Sequence, residues 1–155
     1  MFIPYTTGRM DNMKNKQQER SITHIMIIDQ EFLLELLNKA AESPRLRANY
    51  DLRTSAEDGS QRMLNALQPG TAVPVHRHPN STENVFCLMG RMDEIIFDNE
   101  GKEIARYTLA PVEGLFGCVV PQGAWHTVEV KEPSVIYEAK DGRYGEDGSE
   151  SMTTF

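Results

Sequence analysis

Cysteine is scarce in this chain. Only Cys87 and Cys118 occur among 155 residues, too few for a disulfide framework. Histidine occurs four times and tryptophan once. No apolar run approaches the ~18 residues that a membrane helix needs. Basic residues are outnumbered, 16 Lys and Arg against 23 Asp and Glu, for a net charge of −7. That balance gives no electrostatic ground for binding nucleic acid. The first twenty residues hold no apolar stretch of the kind a secretory signal requires. Cytoplasmic residence with reduced thiols is therefore expected. Met10 and Met13 offer later starts than Met1, and Met13 is the expected physiological start. The composition is otherwise that of one globular domain, with 39% hydrophobic and 25% charged residues. Eleven glycines and eight prolines argue against a long-helix protein.

Local patterns divide the chain. Residues 1–21 carry no periodicity and read as a flexible extension. Residues 22–60 read as a strand, a helix and a connector packed on a barrel. The apolar run Ile22 to Ile28 is the expected strand and a natural cover for a sheet edge. Asp29 is a good N-cap. Phe32, Leu33, Leu36, Leu37 and Ala40 then recur at helical spacing, and Pro44 stops the helix by disfavouring helical backbone at Ser43. From 61 to 140 the grammar changes to short strand-like segments, near 61–68, 71–78, 83–89, 91–98, 103–109, 116–120, 125–130 and 133–139. Gly and Pro turns separate them, and no crossover helix intervenes. Such a pattern predicts an all-β barrel or sandwich preceded by one amphipathic helix. Residues 141–155 are Gly-rich and acidic, and the tail is expected to fray.

The histidines carry the chemical signal. His76 and His78 stand at i and i+2 of a strand segment, so both imidazoles face one side. Pro79 to Ser81 turns the chain, and Glu83 opens the next strand. His126 follows the tight turn Pro121 to Gly123. Three imidazoles and one carboxylate make an N/O metal site. His24 is expected to be an ordinary residue. Gly70, His76, His78, Glu83 and Gly90 keep spacings that chance supplies in roughly one chain in 10⁴ to 10⁵.

These residues resemble the two motifs of the cupins. Gly70, His76, His78, Glu83 and Gly90 match the first motif at every position. Pro121, Gly123 and His126 match the second. There the opening Gly is displaced, and Val130 stands where the motif has Asn. The resemblance implies a double-sheet jelly roll with the metal inside. A wider likeness, over roughly 22–147, is to the small WbuC-type cupin metalloproteins of bacterial polysaccharide clusters. It rests on Ser43, Pro44, Arg45, Arg47 and Asn49, on the stretch Gln61 to Pro69, and on Tyr137, Glu138, Lys140, Gly142 and Tyr144. It implies a fold and a metal but no reaction.

A divalent Fe, Mn, Ni, Zn or Cu ion suits such ligands. Arg45, Arg47, Asn49, Arg62 and Asn65 are the candidate groups for holding an anionic ligand, because arginine binds carboxylate and phosphate bidentately. Arg62 and Asn65 have opposite strand parity, so at most one of them points inward. Val85, Cys87 and Met89 share parity with Glu83 and are expected inside the barrel. Phe97, Phe116 and Tyr137 are expected in the core. Tyr137, Glu138 or Tyr144 could act as a base only by reaching the pocket. An enzyme acting on a small anionic or sugar-derived ligand and a non-catalytic metal-dependent binding module both fit. A cupin dioxygenase is a further alternative, although an intact Glu83 disfavours the thiol-dioxygenase kind. A homodimer is expected, with neither nucleic acid nor membrane as a partner.

Overall fold

The structure, a computed structural model, describes residues 25–153. His24, the start of the Ile22 to Ile28 run and the question of the initiating methionine lie outside the described residues. Residues 25–28 form no strand, and all four are exposed. The expected strand is therefore absent from its described part.

Asp29 starts helix α1 (Gln30–Glu42) by accepting a hydrogen bond from the Phe32 amide at 2.9 Å. Glu31 lies in the first turn and Lys39 in the last, both favourable to the helix dipole. The helix ends at Ser43, whose amide bonds back to the Lys39 and Ala40 carbonyls. Phe32, Leu33, Leu36, Leu37 and Ala40 are its buried face. They pack on Leu64, Ala66 and Val135 of the sheet beneath.

Eight strands follow: β1 (Arg47–Asp51), β2 (Ser60–Leu67), β3 (His76–Arg77), β4 (Glu83–Phe97), β5 (Glu103–Leu109), β6 (Gly117–Val120), β7 (Trp125–Asp141) and β8 (Glu150–Ser151). Strand β1 was hidden in what reads as a polar connector. It pairs antiparallel with β2, Asn49 opposite Asn65. Four of the expected segments are halves of two long strands. Strands β4 and β7 pair along almost their whole length, from Glu83 opposite Lys140 to Phe97 opposite Trp125.

The two long strands build both layers of a double-sheet jelly roll. The first halves of β4 and the last of β7 lie with β1, β2 and β6. The opposite halves lie with β3, β5 and β8. The register shifts between Cys87 and Met92 mark where β4 changes layer. Gly90 sits at this corner with φ +94°. A Cβ there would lie 2.2 Å from the Pro133 carbonyl oxygen and 2.4 Å from Ser134 Oγ. Only glycine lets the two strands cross so closely.

The corner also swaps strand parity. Glu83, Val85 and Cys87 point between the sheets, as expected. Beyond the shift the inward row continues through Met92 and Glu94. Met89 correspondingly packs toward the helix side, against the expectation. Phe116, expected in the core, is 61% exposed. The tail does not fray in its described part. Strand β8 pairs with β3, Ser151 opposite His76, and Asp147 accepts from Gln61 Nε2 at 2.9 Å.

Candidate metal centre

His76 comes from β3, His126 from the start of β7 directly opposite it, and Glu83 from the start of β4. His78 lies just beyond β3. The two connecting turns are tied together. The Gly123 amide donates to the His78 carbonyl at 2.9 Å, and Gln122 Nε2 donates to the Pro79 carbonyl at 2.6 Å. Gly123 holds φ +81°, the left-handed conformation its turn requires. The proline and glycine of the second motif thus place His126 against His78.

One ligating atom from each of His76, His78 and His126 lies within 4.8 Å of the others. Each Nδ1 is already engaged. That of His76 meets the Pro74 carbonyl at 2.9 Å, that of His126 the Ala124 carbonyl at 2.9 Å, and that of His78 Ser149 Oγ at 2.8 Å. These contacts fix ring orientation and leave each Nε2 for the centre. Glu83 completes the group, with Oε2 3.0 Å from His78 Nε2 and Oε1 3.5 Å from His126 Nε2. His126 Nε2 is buried and makes no hydrogen bond. Buried polar atoms rarely go unpaired, so this atom is the observation that a divalent cation fits the donor set.

The electrostatics of His76 and Glu83 agree with that fit, while against the effect of its burial the Glu83 carboxylate raises the His126 imidazole. Burial, and then the charge of neighbouring His126, lower the His76 imidazole to about 4. It is therefore neutral, as a ligand must be. Burial raises the Glu83 carboxyl, but the His126 and His78 imidazoles and Lys140 outweigh it and hold Glu83 far below the usual carboxylate range. Lys140 Nζ lies 3.3 Å from both His78 Nε2 and Glu83 Oε2.

A cavity of about 360 Å³ opens beside the cluster. Arg45, Arg47, Asn49 and Asn65 line it together with His76, Glu83 and His126. Arg62 does not. It is on the other face of β2, paired with Asp58 and bonded to Ser60. Parity had allowed only one of Arg62 and Asn65 inside, and Asn65 is the one. Glu138 and Tyr144 reach the cavity, whereas Tyr137 packs toward the helix.

Glu94, which strict strand alternation from Glu83 would put on the outer face, also lines this cavity. It is 1% exposed, and neither carboxyl oxygen has a hydrogen-bond partner. Burial pushes it up to about 8. Burial, and then the Glu83 charge, push Glu138 up to about 7. The thiols stand apart from this chemistry. Burial raises Cys87 to about 11, and it donates to the Met89 carbonyl. Burial likewise raises Cys118 to about 12.

The jelly roll is the fold of solved cupin domains. Solved structures with the same fold include a cupin-2 domain from Rhodospirillum rubrum, 17% identical with TM-score 0.54, covering 72% of this chain and 70% of that one. Another is a cupin 2 domain-containing protein from Halorhodospira halophila, 16% identical with TM-score 0.54, covering 70% of this chain and 71% of that one. The capsular polysaccharide assembling protein CapF from Staphylococcus aureus is 16% identical with TM-score 0.56. That likeness covers 72% of this chain but 33% of CapF. No curated protein matches in sequence. The family model described as Domain of unknown function (DUF6016) matches residues 28–109, more than half of the chain, and the chain belongs to that family. Among the described residues no helix is long and apolar enough to cross a membrane.

Proposed function

We propose that this protein is a mononuclear metal-binding cupin that holds one divalent transition metal on His76, His78, His126 and Glu83 and takes a small anionic or sugar-derived ligand beside it. The observation that carries this reading is the unpaired, buried Nε2 of His126 in a cluster whose Nδ1 atoms are all anchored. Three neutral imidazoles and one carboxylate leave a divalent ion with net positive charge. When bound, the metal supplies Lewis acidity toward a ligand oxygen. Arg47 and Arg45 add positive charge to the same cavity. Asn49 and Asn65 add polar groups.

The likeness to WbuC-type proteins and the fold shared with a capsular polysaccharide assembling protein support bacterial polysaccharide metabolism as the setting. A non-catalytic binding module is the second reading. It is favoured by the two thiols, which burial raises and so removes as thiolate nucleophiles. A homodimer belongs to the proposal as well. The exposed apolar side chains Phe86 and Leu88 on β4, Phe116 beside β6 and Val119 on β6 are the surface for it.

Cobalt(II) titration of the metal-free protein tests the centre. One equivalent per chain, with visible absorption bands of a nitrogen- and oxygen-ligated ion, is expected. Absence of saturable bands refutes it. Turnover of nucleotide sugars by the loaded protein separates the enzyme from the binding module, for which thermal stabilisation without product is expected.

A further inference from the structure

Glu94 has no place in the metal-binding set. It sits past the corner of β4, with both oxygens buried and unpartnered. A carboxyl taken out of water without a hydrogen bond costs stability. A satisfied apolar residue would fill the same position at less cost. The position is also concave, beside the histidine cluster, and shared with Glu138. Asn65 Nδ2 donates to Glu138 Oε2 at 2.5 Å and holds that carboxyl toward the cavity. Two carboxyls therefore face one small space whose remaining titratable or charged groups include Arg45, Arg47, Glu83, His76 and His126.

Resting on the metal-centre reading, we infer that Glu94 and Glu138 recognise the hydroxyl groups of a small polyhydroxylated acid, whose anionic end is taken by Arg45 and Arg47. A hydroxyl both donates and accepts, so it satisfies a carboxyl in either protonation state. Burial holds both groups up near or above neutrality, which suits a neutral hydroxyl better than an ammonium. A cationic ligand also meets two arginines in the cavity. An acid without hydroxyls would fill the space and leave Glu94 unpaired. A site built to hydrogen-bond a hydroxyl rejects analogues that lack it far more strongly than an apolar pocket does. The anionic end is a carboxylate or a phosphate, since arginine pairs with both.

Calorimetric titration of the metal-loaded full chain tests this directly. The probes are gluconate, glucose 6-phosphate, hexanoate and sorbitol. Either gluconate or glucose 6-phosphate is expected to bind about 10-fold or more tighter than hexanoate or sorbitol, and the winner identifies the anionic end. Glu94→Leu is expected to abolish that preference at unchanged metal content. Glu94→Gln, which keeps hydrogen-bonding groups, is expected to retain most of it. Glu138→Leu is expected to show the same loss, should Glu94→Leu not fold. Hexanoate binding as tightly as gluconate and glucose 6-phosphate overturns the inference. So does Glu94→Leu with undiminished preference, and so does loss of metal from that variant, which would make Glu94 a ligand. Metal content of the wild type separates the two readings. A metal-loaded protein with no preference for hydroxyls refutes the carboxyl wall alone, whereas a protein that takes no metal refutes the metal centre.

Discussion

Gly90→Ala probes the corner on which both layers and the inward row of β4 depend. Three effects combine there. An alanine at φ +94° costs about 1–2 kcal/mol, because Cβ crowds its own backbone in that region. The new methyl would lie 2.2 Å from the Pro133 carbonyl oxygen, so β7 must give way. Overpacking of this kind costs about 1–3 kcal/mol. Ser134 Oγ lies 2.4 Å from the same methyl. It accepts from the Arg91 amide at 3.0 Å and donates to the Glu132 carbonyl at 2.7 Å. Losing one such buried bond costs about 1 kcal/mol. The total is about 4 kcal/mol, or a fall in Tm of about 10 °C for a domain of this size. Differential scanning calorimetry of wild type and variant measures it. Because the corner decides which face Glu94 presents, the preference for hydroxylated ligands is expected to fall too. A Tm within about 2 °C of wild type would refute the reasoning that Gly90 is required by this crossing.

Other perturbations have equally definite outcomes. Glu94→Gln in the metal-free protein is expected to raise stability in a pH-dependent way. The folded carboxyl titrates near 8 against an ordinary 4.5, so at pH 7 the unfolded chain gains by ionising and the folded chain does not. The gain from the substitution is nil below pH 4.5 and about 3 kcal/mol at pH 7. Urea denaturation at both pH values checks it. Asp29→Ala removes the cap on the Phe32 amide and is expected to cost about 1 kcal/mol in the same assay. Lys140→Met removes a cation 3.3 Å from His78 Nε2 and Glu83 Oε2. It is expected to tighten metal binding about 10-fold, read by competition with a chromophoric chelator. Arg62→Ala is expected to leave ligand binding unchanged, because Arg62 pairs with Asp58 away from the cavity.

The grouping of the three histidines beside Glu83 was legible because its determinants are local. The His76 and His78 spacing, the turn to Glu83 and the Pro121 to Gly123 turn before His126 act over a few residues each. The helix was legible for the same reason, from the Asp29 cap to Pro44. Asn65 over Arg62 followed from parity alone once one neighbour was known to face inward. Strands β1 and β8 were not legible. Each is polar, and each exists through pairing with a distant partner, β1 with β2 and β8 with β3. The tail looked free because its sequence carries no apolar periodicity. Its anchors are long-range, among them Asp147 on Gln61 and Ser149 on His78. Glu94 was hidden by the corner. Counted in strict alternation from Glu83 it falls on the outer face, and the shifts between Cys87 and Met92 bring it in. Gly90 was the available signal, since a glycine inside a strand pattern marks such a shift.

The central claim is that His76, His78, His126 and Glu83 hold one metal ion. Elemental analysis of untagged protein, purified without added metal, tests it most directly when His126→Ala is measured alongside. Close to one equivalent of a single divalent transition metal is expected in the wild type and a small fraction of that in the variant. Equal metal content in both proteins, or none in a folded wild type that also fails to take up added metal, would contradict it.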